Sequence, residues 1–173
     1  MNQLTREQLV DLANGRTVQM PNGYVLRAKQ EPDMDNEISD FPDSYGLIAP
    51  VEYSKYTAEM LTRPEPFNEH AEVLRTYRND PMWWQPPDDI EHDSFVKNAL
   101  RSTVTDILNY GFINWVVELC KGVDAYDKYI VRAFMVYGAV EPMLSEEDTV
   151  FVLSDIAQQL LDEHDLDSTL VLG

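Results

Sequence analysis

Over the first 92 residues, apolar and polar positions change places in short runs broken by proline, asparagine and glycine; from residue 93 onward apolar positions recur three and four apart. LTREQLVDLANG opens on Thr5 as an N-cap, sets Leu9 and Leu12 on one face and stops at Asn14-Gly15, which predicts a short helix. RTVQM and YVLRAKQ flank PNG, the Asn22-Gly23 pair being a strong hairpin signal. AEVLRTY and MWWQ, separated by RNDP, predict a second hairpin. The acidic stretch, YGLIAPVEYSKY and RPEPF lack helical periodicity and read as irregular structure with short strands at most, and Pro86-Pro87 closes this half.

The second half reads as helical. Asp93 or Ser94 caps a helix striped by Val96, Leu100, Val104, Ile107 and Leu108 and broken at Gly111. FINWVVELCKG and VDAYDKYIVRAFMVYG read as two further helices ending at Gly122 and Gly138. A last helix begins at the Ser145 to Asp148 capping pattern and carries Val150, Leu153, Ile156, Ala157, Leu160 and Leu161 on one face. The tail STLVLG is either a short edge strand or loose. The expected fold is α+β: an N-terminal hairpin and loop half, 1–92, packed on a C-terminal bundle of three to four helices, 93–173, as one compact unit. Trp83 and Trp84 support a shared core, because adjacent strand residues face opposite ways and one of them packs on the helices.

Charge changes the picture most. In 173 residues, 31 acids against 13 lysines and arginines give a net charge of −18, which disfavours direct binding to nucleic acid or to an anionic membrane. At 44% hydrophobic residues the chain still has material for a core. The single Cys120 lies in an apolar run and reads as a buried, inert thiol in a reducing cytosol. MNQLTREQLVDLANG has no apolar stretch of signal-peptide length and no run approaches 18 apolar residues, so neither targeting nor membrane insertion is expected.

Catalytic and metal motifs are missing at the sequence level. Asp33-x-Asp35-x-Glu37 begins like a calcium loop, but Ile38 stands where its glycine belongs and Ser44 where its bidentate glutamate belongs. His70, His92 and His164 are far apart and no zinc spacing occurs. Each follows a glutamate, which favours the protonated ring, but neighbouring acids are commonplace in so acidic a chain. No G-x-S-x-G, H-E-x-x-H, P-loop or G-x-G-x-x-G is present, so no catalytic residue, cofactor or metal is assigned.

The acids themselves are the remaining signal. EPDMDNEISDFPD, residues 31–43, holds six acids and no lysine or arginine, and in extended form Glu31, Asp33, Asp35 and Glu37 share one side at roughly 6.6 Å intervals. After Arg132 the last 41 residues hold nine acids and no lysine or arginine. On the last helix Asp148, Asp155 and Asp162 recur at about 10.5 Å. Such rows repel one another and cost stability. A solvated face is the plain reading; imitation of a phosphate row is the functional one.

RPEPFNEHAEVL, WWQPP and YGFINWVVELCKGVDAYDKYIVRAF resemble a group of small acidic proteins of unassigned function encoded by bacteriophages of actinobacteria, with likeness over most of the chain. The resemblance brings no functional residues. It implies expression in a bacterial host cytoplasm and a role in takeover, counter-defence or lysogeny.

The expected function is therefore non-enzymatic: an acidic inhibitor or counter-defence factor that occupies the basic nucleic-acid-binding surface of a host protein through Asp33, Asp35, Glu37, Asp40, Asp43, Asp148, Asp155 and Asp162. One rival is a protein-interaction module with an apolar contact built from Phe67, Trp83, Trp84 or the tail, the acids serving solubility. A second is a small metal-dependent enzyme with dispersed carboxylates. The oligomeric state is open, because an exposed strand edge favours self-association and the charge opposes it.

Overall fold

The computed structural model describes residues 4–51, 65–75, 81–90 and 92–164. In chain order its elements are α1 (Arg6–Ala13), β1 (Val18–Gln19), β2 (Tyr24–Pro32), α2 (Pro42–Tyr45), β3 (Leu47–Pro50), β4 (Glu72–Leu74), β5 (Met82–Gln85), α3 (Ser94–Tyr110), β6 (Ile113–Val123), β7 (Tyr129–Val140) and α4 (Glu146–Glu163). The class is mixed α+β, with two antiparallel sheets. Contacts divide the chain into two units interleaved in sequence: 1–32, 113–140 and 144–173 form the first, and 33–112 with 141–143 form the second. The expected boundary at 92/93 falls inside the second unit.

The first unit is a four-stranded sheet, ordered β1-β2-β6-β7, with α1 and α4 on one face. Thr5 caps α1 with the reciprocal Gln8 bond, and the β1–β2 hairpin forms around Pro21–Gly23, where Asn22 takes the left-handed conformation that this turn requires. The core joins Leu9 and Leu12 of α1, Leu26 of β2, Val117 and Leu119 of β6, and Leu153, Leu160 and Leu161 of α4. Each such side chain contributes about 1.5–3 kcal/mol by leaving water.

The runs 112–122 and 123–138, expected as helices, form β6 and β7 instead, so the C-terminal part is not a helical bundle. β6 is buried on both faces: Trp115, Val117 and Leu119 turn to the helices, while Val116, Glu118 and Cys120 turn the other way. Burial on both faces yields an unbroken apolar run without alternation, which periodicity does not separate from a buried helix. The β-branched and aromatic content of both runs favours the pleated form. Asp124 builds the turn between them, its Oδ1 accepting from the backbone N–H groups of Tyr126 and Lys128, with Asp127 left-handed.

In the second unit β5 is central to a sheet ordered β3-β5-β4, so MWWQ and AEVL do pair antiparallel; residues 76–80, which hold most of their connection, lie outside the described residues. The tail STLVLG also lies outside them. Asp93 caps α3, whose buried stripe is Val104 and Ile107, while Val96 at its start is exposed. Phe41, Tyr45 and Phe112 pack edge-on and tilted, with centroids 5.6–6.4 Å apart. Gly46 has φ 94°, and a Cβ there would stand 2.1 Å from the Gln85 carbonyl oxygen, so β3 approaches β5 only through glycine. No helix among the described residues is long and apolar enough to cross a membrane.

Candidate partner-binding surfaces

The acidic stretch does not run extended. β2 ends at Pro32, and the Asp33 carboxylate turns inward, its Oδ1 accepting from the backbone N–H groups of Asp35 and Asn36 (3.0 and 3.2 Å) and its Oδ2 from the Asn36 side chain (2.8 Å). Asp33 is 8% exposed, so it builds the loop and is not a surface carboxylate as expected. Asp35, Glu37, Asp40 and Asp43 are exposed. Glu37 and Asp40 cap a short 3-10 turn, Ile38–Asp40, by accepting from one another's backbone, and Asp43 sits in the first turn of α2. These local bonds break the even 6.6 Å row anticipated from an extended chain.

Asp33 and Glu37 line an open groove of ≈ 950 Å³ within the second unit. Ile48, Met82 and Phe112 give it apolar walls, and the last turn of α3, at Asn109 and Tyr110, closes one side. A helix C-terminus carries partial negative charge, and among the described residues the lining includes no lysine or arginine. On its described lining the groove presents acids and a helix C-terminus, a combination suited to the ammonium or guanidinium of a basic side chain, with apolar walls for its methylene stem.

On α4 the expected periodicity holds. Asp148, Asp155 and Asp162 are exposed along one outer face, opposite the buried Val150, Leu153, Ile156, Leu160 and Leu161. Asp148 also helps cap the helix with Ser145, while Asp155 and Asp162 accept from Gln159 and Gln158 at 3.2 and 3.1 Å. Arg6 pairs with Glu146 at 3.7 Å, but none of these three aspartates is in an ion pair among the described residues. The first-turn acids suit the positive end of the helix dipole; Asp162 and Glu163 oppose it at the other end, where no basic residue occurs. Between Asp148 and Asp155 stands Phe151, 76% exposed. The sequence reading passed over Phe151, although it is out of phase with the apolar face of its own helix.

Of the aromatic alternative, the structure corrects the two tryptophans, while the tail lies outside the described residues. Trp83 is buried and Trp84 has no exposed surface, its indole N–H donating to the Tyr45 carbonyl oxygen at 2.7 Å. Phe67 is half-buried. The two tryptophans are core residues of the second unit and present no contact to a partner.

Other titratable groups serve the fold. Arg101 makes a bidentate pair with Glu72, which raises its pKa further, and it lies 5.8 Å over the Trp84 ring. The Cys120 thiol is buried, and that burial raises its pKa; Arg27 opposes the rise and Glu118 adds to it, so the thiol is a poor nucleophile. No group of three or more histidine, cysteine or acidic residues placed to hold a metal occurs among the described residues. Comparison with protein-family models, curated proteins and solved structures finds no match.

Proposed function

We propose that this protein is a non-enzymatic, phage-encoded inhibitor that occupies the basic nucleic-acid-binding surface of a host protein in the bacterial cytoplasm. The observation that carries the reading is the outer face of α4, where three aspartates at seven-residue spacing, none of them in an ion pair among the described residues, share the face with the exposed Phe151. A face serving only solubility has no use for a large apolar side chain at its centre, nor for acids set against the helix dipole. A contact surface uses both: an apolar anchor within a charged rim, and a regular negative row facing lysines and arginines.

The exposed Asp35, Glu37, Asp40 and Asp43, with the acid-lined groove beside them, supply a second acceptor of basic side chains. The likeness to actinobacteriophage acidic proteins supports the phage setting. Binding driven this way is fast and weakens steeply with salt. The test is affinity capture from a bacterial lysate at low and high salt by the wild type and by Asp148→Asn/Asp155→Asn/Asp162→Asn. Capture of a nucleic-acid-binding protein by the wild type alone, released by salt, supports the proposal. Equal capture by both proteins, surviving high salt, contradicts it.

A further inference from the structure

β7 ends the first unit's sheet, with β6 on one side and no strand on the other among the described residues. The opposite edge, β1, is blunted to two residues, whereas β7 runs for twelve. Long apolar edges are templates for another strand, and proteins protect them with proline, charge or brevity. Between Tyr129 and Val140 there is no proline and no acid, and the single charge is Arg132. Phe134 is 63% exposed and Val136 48%.

We propose that the regular stretch of β7, Ala133–Tyr137, is a self-association edge, on which the same stretch of a second copy pairs antiparallel to join the two sheets into one of eight strands. The charge pattern selects a second copy as the occupant. A chain of −18 repels itself, so two copies meet favourably only where neither brings acids; a paired β7 brings two Arg132 guanidiniums into the field of two acidic bodies. A basic partner finds no carboxylate on this strand. The register follows from the regular part of the ladder: pairing with β6 is continuous from Tyr137 to Ala133, and the shifts lie outside it. A two-fold axis through Met135 sets Phe134 opposite Val136 of the second copy, twice, on the face away from the helices. Aromatic and β-branched residues so opposed are a favourable cross-strand pair, and the interface is closed and isologous.

The test is sedimentation velocity on the full chain over a range of concentrations at low and high salt. A dimer is expected that tightens with salt, opposite to the salt response of the proposed partner contact. Phe134→Asp and Val136→Asp, both at exposed positions, should each raise the dimer Kd at least about tenfold with an unchanged circular dichroism spectrum, while Phe151→Asp leaves it unaltered. A monomer at every concentration in high salt, as an intrachain occupant of the edge would give, overturns the inference. So does a dimer indifferent to both β7 variants.

Discussion

The Arg27 guanidinium donates to the Glu118 carboxylate at 2.8 Å, tying β2 to β6 across 91 positions of sequence. Glu118 is buried, and Lys29 stands 3.7 Å from its second oxygen. In a chain with a net charge of −18, this buried acid has two cations. Replacing Arg27 with methionine leaves a buried carboxylate with only the more distant lysine. The variant should lose about 1–3 kcal/mol, since Arg27 is itself partly exposed. Urea denaturation measures the loss; stability equal to the wild type would mean that the pair is replaceable by water.

The two tryptophans Trp84 and Trp115 are both buried but differ in partner. Trp84 donates to Tyr45, whereas the Trp115 indole nitrogen has no hydrogen-bond partner among the described residues. Trp84→Phe removes volume and orphans a carbonyl, costing about 2–4 kcal/mol. Trp115→Phe removes volume and an unsatisfied donor together, so its loss in thermal stability should be smaller.

Much of this fold is legible in the sequence because its signals are local. Thr5, Asp93 and Ser145 are caps written in one or two residues, and Asn22-Gly23 is a turn written in two. The β6–β7 hairpin is not local in this sense. Its strands are specified by β2 on one side and by α4 above, and burial on both faces of β6 erases the alternation that marks a strand. At the candidate site, the periodic aspartates of α4 could be read from spacing, whereas the inward turn of Asp33 depends on bonds to Asp35 and Asn36 that spacing does not encode. Phe151 was visible as a phase error, and its exposure follows from which face α4 buries.

The Tyr45 hydroxyl donates to Glu141 Oε1 at 3.0 Å, and burial, then the charge of Glu141 and this hydrogen bond, raise its pKa well above the ordinary tyrosine value. The folded state therefore holds this proton more tightly than the unfolded chain. The stabilisation is fully present below pH of about 10 and is lost as pH rises toward the folded-state pKa. Tyr45→Phe should show a shallower fall in stability above that pH; parallel wild-type and variant curves would contradict it.

Asp162 and Glu163 stand at the negative end of α4, whose last turn holds no lysine or arginine. Asp162→Lys should raise stability by about 0.3–1 kcal/mol while weakening partner capture. A melt that gains stability with capture unchanged would assign this acid to solubility alone.

The central claim is that the carboxylate row of α4 stands in for a phosphate row. The most direct measurement takes the nucleic-acid-binding protein captured by the wild type and titrates its DNA or RNA complex with wild-type protein and with Asp148→Asn/Asp155→Asn/Asp162→Asn. Competitive displacement by the wild type, weakening with salt and largely lost in the triple variant, is the predicted result. A ternary complex with the nucleic acid still bound, or equal displacement by the triple variant, would contradict the account.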